Sequence, residues 1–397
     1  MSGAPASRGA TAVVGIAELH HPRGQAPTGE RGLVLEAILA ACADAGISPR
    51  DIDGFSSYAG GDVSGPVLAA DLGVRELRWS TMVWGGGGGG VAAAINAASA
   101  AVLSGQAECV VAFRGMAQAD TGRLGYAKYY FDNHYLPHGV AAPAHVCALR
   151  TQRMLEHDGV PRSAMRNLVL AAYTHAQRNP TAAGYGRPLD AAKYDASPLI
   201  VEPFHLFDCS RENDGAVALL VVSAERARSL DAVPAYVLAG AQGAPGGYSA
   251  LNENDPPTRY TSAGFAEAGE GGGVAARLWR QAGMKPEELD VVQVYENFSG
   301  PAVASLIDHG LCPPGPAAGD FMTVENLTAP AGRLPVNTSG GNIADAFING
   351  MGLAVEAVRQ IRGTSTNQAE RADTSLFIGG PMAPLVSSTL FGSGQTL

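Results

Sequence analysis

AGISPRDIDGFSSY, residues 45–58, decides the architecture, because it recurs without a gap as AGMKPEELDVVQVY at residues 282–295. The copies share Ala-Gly at the start, Pro49 with Pro286, Asp53 with Asp290 and Tyr58 with Tyr295. Each reads as a helix end closed by glycine, a proline turn and a short apolar strand. The match extends outward in the same order. Upstream, an apolar strand ending in glycine precedes each copy, TAVVGIAE around Val14 and AYVLAGAQG around Leu238. Downstream, GGGGGGVAAAINAASAAVLSG (residues 85–105) leads into ECVVAFRG, and SGGNIADAFINGMGLAVEAVRQIRG (residues 339–363) leads into SLFIGG. Duplication at this scale predicts two similar β-α-β halves packed together, with mixed sheets covered by helices.

Trp84 is followed by six consecutive glycines, 85–90, which run into an Ala-rich helix pattern at residues 91–103. Glycine this dense allows a tight turn and offers bare N–H groups at a helix N-terminus, where an enolate-like oxygen is stabilised. The stretch carries no side chain that could act as a nucleophile. The chemistry expected here is therefore electrostatic rather than covalent.

The 397 residues are 46% hydrophobic, enough for two sizeable cores or one duplicated one. A formal charge of −10 argues against nucleic acid, and no polybasic run points to a membrane surface. The N-terminal residues lack an apolar signal segment, and no apolar run reaches the roughly 18 residues of a membrane span. The expectation is a soluble, cytoplasmic protein. Cys42, Cys109, Cys147, Cys209 and Cys312 show no CxxC spacing, so neither disulfides nor a metal site is expected.

Between the halves, residues 116–202 differ in composition. They carry Tyr126, Tyr129, Tyr130, Tyr135, Tyr173, Tyr185 and Tyr194, with His134, His138, His145, His157 and His175. Two readings stand: a cap over a site, or a surface excursion with one amphipathic helix at residues 143–157. The division is then 1–115 with 203–228 for the first half, 116–202 for the insertion and 229–397 for the second half.

The duplicated layout, the glycine turn before a buried Ala-rich helix, FDCSRENDGAVALLVVSAE (residues 207–225), VYENFSG (294–300) and the closing VNTSGGN (336–342) resemble the thiolase superfamily. The closest likeness is to its sterol-carrier and lipid-transfer branch. The resemblance implies a layered αβαβα fold of two duplicated α/β halves with an inserted loop domain. It also implies positions that can be checked. The acylatable cysteine of a thiolase would stand at Gly87, its catalytic histidine at Phe347, and its second cysteine at Phe377. All three residues are chemically silent, so thiolysis through an acyl-enzyme is not expected.

Tyr295 stands where typical thiolases carry Asn or His, and resembles instead the group's aldolases, which cut steroid side chains as β-hydroxyacyl-CoA thioesters. Retro-aldol cleavage needs a base for the β-hydroxyl proton and donors for the departing enolate, not a nucleophile. The resemblance makes Tyr295 the proton carrier, and the backbone amides of Gly87, Gly88, Gly89 and Gly90 with Gly379 and Gly380 the enolate hole. Tyr295 also has a repeat partner in Tyr58 and could simply pack at a strand end. Glu296 and Asn297 read as supporting groups or as turn formers. Asp345 reads as a carboxylate in a helix first turn or as an alternative base. His205 reads as a satisfied core histidine and Cys209 as a buried thiol. Phe347 departs from the aldolases, where tyrosine is common.

The favoured activity is a carbon–carbon lyase acting on a β-hydroxyacyl-CoA, with no cofactor beyond the coenzyme A of the substrate. Other acyl-transfer or condensation chemistry stays open, as does a non-catalytic acyl-CoA-binding, lipid-binding or scaffold protein. The resemblance further implies a homodimer and a small partner with an OB-fold and zinc ribbon.

Overall fold

Both copies of the repeated segment fold alike in the computed structural model, which describes residues 7–58, 63–84, 87–118, 136–244, 273–380 and 385–397. Its strands are β1 (Thr11–Pro22), β2 (Gly54–Tyr58), β3 (Trp79–Val83), β4 (Cys109–Met116), β5 (Leu199–Val201), β6 (Phe204–His205), β7 (Asn213–Ser223), β8 (Ala235–Gly243), β9 (Val291–Val294), β10 (Thr374–Ile378) and β11 (Val386–Gly392). Gly46 and Gly283 end the helices Glu30–Ala45 and Val274–Ala282 at φ 66° and 65°, in the left-handed region that a Cβ disfavours. A 3-10 turn follows in each copy, Pro49–Asp51 and Pro286–Glu288, and then β2 or β9.

The repeated aspartates explain why the copies kept them. Asp53 accepts from Cys109 N–H at 2.8 Å where β4 begins, and Asp290 accepts from Thr374 N–H at 3.0 Å where β10 begins. Each carboxylate thereby holds the neighbouring parallel strand in register.

Nine strands join in the order β3-β2-β4-β7-β1-β8-β11-β10-β9. β2 runs parallel to β3 and β4, and β9 to β10; the other pairings are antiparallel. The halves are linked only narrowly along the sheet, where Ala12 and Val13 of β1 meet Tyr236 and Ala235 of β8. They fold face to face over two buried helices. Helix Val91–Leu103 packs on β2, β4 and β7 and also on β8 and β11; helix Met351–Arg362 packs on β9 and β10 and also on β1 and β7. Glu30–Ala45 covers one outer face and Val274–Ala282 the other, which completes the αβαβα layering.

A helix between two sheets must be apolar on most of its circumference and slim. Ala92, Ala93, Ala94, Ala98 and Ala101 meet that demand, and all are buried. The core they fill belongs to both halves, since Tyr58, Ile95 and Leu219 of the first cluster with Tyr295, Phe347 and Phe377 of the second.

The insertion contains the expected helix Pro143–His157, but also Arg162–Ala176, Ala191–Asp195 and β5, which pairs with β6 just beyond it. Met154, Met165 and Leu168 are buried in the main core. The reading as a surface excursion with one helix is thereby corrected. Helix Arg162–Ala176 lies against helix Ser299–Asp308 and the 341–345 turn, so the insertion buttresses one side of the second half. Tyr126, Tyr129, Tyr130, Tyr135 and His134 lie outside the described residues. Among the described residues no helix is long and apolar enough to cross a membrane.

Candidate active site

Tyr295 extends from the end of β9, is 4% exposed, and lies between two helix N-termini. One belongs to the glycine run. A Cβ on Gly88 would come 2.1 Å from the Tyr295 ring, and a Cβ on Gly350, just before helix Met351–Arg362, 2.2 Å from it. The Phe347 ring meets Tyr295 edge-on at 6.1 Å, and the Tyr295 hydroxyl donates to Asn349 Oδ1 at 3.3 Å. Tyr58, the repeat partner, crosses from the other half. Its ring lies against Gly90, and its hydroxyl donates to the Asn349 carbonyl at 2.9 Å.

The glycines therefore do more than turn the chain. Gly87–Gly90 form a 3-10 turn ahead of the helix, with Gly87 at φ 50°. Gly88 and Gly90 must lack side chains because two tyrosine rings occupy that space. Gly379 and Gly380, read from sequence as part of an enolate hole, are corrected: their N–H groups donate to Ser387 O at 2.8 Å and to Gly88 O at 2.7 Å. Gly379 ties the end of β10 to β11, and Gly380 ties it to the glycine turn.

Glu296 faces away from Tyr295 and is fully buried. Its carboxyl fills the space beside Gly341, where a Cβ would overlap it, and faces the Asn337 amide and the backbone of residues 342–343, short of full hydrogen bonds. Burial pushes it up to about 8. The folded chain therefore holds a proton that the unfolded chain, with an ordinary carboxyl near 4.3, releases. Stability must then fall as pH rises between those values and level off above them. Glu296→Gln cannot ionise, so its melting temperature should gain on the parent's from about pH 5 to about pH 8. A pH-independent difference would contradict this.

Asn297 turns toward the insertion, with Nδ2 3.7 Å from Cys147 Sγ and Oδ1 accepting from Phe298 N–H at 3.0 Å. Asp345 is not in a helix first turn, which corrects that reading. It ends a π-turn, Gly341–Asp345, and the helix begins only at Met351, because Asn349 and Gly350 adopt φ 48° and 86°. Burial raises the Asp345 carboxyl well above the usual range, and the Glu18 charge adds to this. His20 Nε2 lies 4.0 Å from its Oδ1.

Among the described residues nothing crowds a Cβ on Gly87, the residue the sequence resemblance matches to a thiolase cysteine, while Phe347 and Phe377 are buried aromatics. The five cysteines are unpaired. Burial holds each thiol up, Cys209 to about 12, so none is a thiolate at neutral pH. His205 is satisfied by Ser197 O at 2.8 Å.

Two residues escaped the sequence reading. Asp208 accepts from the Tyr194 hydroxyl at 2.7 Å, from the Ser299 hydroxyl at 2.5 Å and from His205 N–H at 2.7 Å, joining the insertion to the second half. Asn349 joins both tyrosines. The Asn349-Gly350 dipeptide is a turn signal and marks the position, though not its partners.

Residues 273–389 match the family "Thiolase C-terminal domain-like". The chain is 35% identical to the "Steroid side-chain-cleaving aldolase" of Thermomonospora curvata, across 98% of this chain and 99% of that one. It is 33% identical to the "17-hydroxy-3-oxo-4-pregnene-20-carboxyl-CoA lyase" of Mycobacterium tuberculosis, across 95% and 97%. Among solved structures, the "Ltp2-ChsH2(DUF35) aldolase" superposes with a TM-score of 0.88 at 32% identity, covering 99% of this chain and all of that one. Near-complete coverage at this identity, with the duplicated fold, places the chain among the aldolases of the thiolase superfamily.

Proposed function

We propose that this aldolase cleaves a β-hydroxyacyl-CoA in which the β-carbon carries the hydroxyl. Tyr295, entering as its phenolate, takes the β-hydroxyl proton, the Cα–Cβ bond breaks, the β-carbon leaves as a ketone or aldehyde, the bonding electrons go to the thioester enolate, and the proton now on Tyr295 is the one given back to carbon. Proton return to Cα completes a shorter acyl-CoA. The step is redox-neutral and needs no cofactor beyond the coenzyme A of the substrate.

A phenol with ordinary pKa near 10 is a poor base, so its anion needs help. The observation that carries the reading is the convergence of two helix N-termini on one tyrosine ring, since both dipoles favour negative charge there. The same ends favour the enolate, with donors drawn from the 87–90 turn. Phe347 adds no second hydroxyl and shields the ring from water.

We further propose a homodimer formed along β3. That strand is the sheet's edge and carries the exposed Met82, with Trp84 84% exposed just beyond it. A small OB-fold and zinc-ribbon protein is the proposed second component; the similar solved aldolase is a two-component assembly by its own description.

The test offers 17-hydroxy-3-oxo-4-pregnene-20-carboxyl-CoA to the full chain, produced with and without such a partner. Ketone and shorter acyl-CoA should form in equal amounts without added free CoA, and gel filtration should show a complex of defined stoichiometry. Acetoacetyl-CoA should not undergo thiolysis, and iodoacetamide should leave the rate intact. Cleavage that requires free CoA would overturn the aldol reading. Full activity from the chain alone would overturn the partner.

A further inference from the structure

The geometry points to Asn349 as the positioning residue of the proposed proton carrier, a role we infer from its contacts with both repeat-related tyrosines; the inference rests on Tyr295 being that carrier. Asn349 lies at φ 48°, a left-handed conformation that asparagine tolerates better than most side chains. Gly350 follows at φ 86°, and the helix then starts. This kink turns the Asn349 side chain toward the end of β9 in the same half, where Oδ1 accepts from the Tyr295 hydroxyl at 3.3 Å.

The amide is itself anchored. Its own carbonyl accepts from the Tyr58 hydroxyl at 2.9 Å, and Tyr58 is fully buried. Its ring is fixed by contact with Gly90 and by Arg114, whose guanidinium lies 5.7 Å over it. Burial keeps this phenol protonated far above neutral pH, so the anchor is a permanent donor. A carbonyl has no proton to hand on. Tyr58 therefore passes no proton to Tyr295 through this contact; it holds the residue that holds Tyr295. Duplication supplied two tyrosines at one repeat position, one turned toward chemistry and the other toward placement.

A hydrogen bond that fixes the hydroxyl in the productive direction contributes to the rate and little to substrate affinity. Asn349→Gly removes the amide while keeping a backbone that accepts positive φ. With 17-hydroxy-3-oxo-4-pregnene-20-carboxyl-CoA as probe, in the preparation where the parent turns over, it should lower kcat about 3- to 10-fold with KM unchanged. Tyr58→Phe should lower kcat in the same way but less, and serves if Asn349→Gly folds poorly. The deciding measurement repeats both substitutions in a Tyr295→Phe background, where each should cost less than about twofold because the group they position is gone. Equal losses in both backgrounds would mean a merely structural residue and overturn the inference. A parent kcat for Asn349→Gly beside a slow Tyr295→Phe would overturn the positioning role alone. A parent rate for Tyr295→Phe would overturn the carrier and the positioning role together.

Discussion

Tyr295→Phe should slow turnover of a confirmed β-hydroxyacyl-CoA by about 10²–10⁴-fold, the usual worth of a general acid–base group. The substitution keeps the ring against Gly88 and Gly350 and its edge-on contact with Phe347, so folding should persist. The hydroxyl is lost, and with it the bond to Asn349. Substrate binding should change little, because the proton moves in the transition state and not on association. Single-turnover rates and equilibrium binding of the acyl-CoA separate the two effects. A variant that cleaves at the parent rate removes Tyr295 from the chemistry and leaves the buried carboxyls of Glu296 and Asp345 as the next groups to test.

Gly88→Ala should act on the same residue from the other side. The added methyl would come 2.1 Å from one Tyr295 ring carbon and 2.2 Å from another, distances that force the ring or the glycine turn to move. Overpacking of this kind costs about 1–3 kcal/mol. Activity should fall with stability, since the displaced ring is the proposed proton carrier. The control is Gly87→Ala. Among the described residues, its own chain neighbours aside, no atom lies within 4 Å of its Cβ, but φ 50° opposes it, at a cost of roughly 1–2 kcal/mol. Denaturant midpoints in a Tyr295→Ala background distinguish the causes: the Gly88→Ala loss should largely vanish and the Gly87→Ala loss should stay. Persistence of the Gly88→Ala loss in that background would show that something other than the Tyr295 ring excludes a side chain at residue 88.

Much of the fold was legible because duplication leaves a local signature. Glycine ends a helix, proline opens a 3-10 turn, and an aspartate precedes each strand, all through interactions reaching a few residues along the chain. The helix Pro143–His157 was legible for the same reason, through its own periodicity. Helix Met351–Arg362 was misjudged at its start because Asn349 and Gly350 hold a conformation that only their distant neighbours fix. The insertion was misjudged in depth, since burial of Met154 and Met165 depends on what packs over them.

By itself, the sequence determined that two β-α-β halves repeat, because the signals the copies share act over a few residues; through its resemblance to thiolases it also carried the expectation that Gly87, Phe347 and Phe377, with neither thiol nor imidazole, stand at the catalytic positions. Only the tertiary structure decided which groups meet and in what protonation state. Tyr58 reaches the Asn349 carbonyl across 291 positions of chain, a pairing that no local pattern encodes. The amides of Gly379 and Gly380 look free in sequence and are engaged in space. Glu296 is an ordinary carboxylate in an unfolded chain and a protonated acid near neutral pH in the fold, because removing a charge from water is a property of the surroundings and not of the residue.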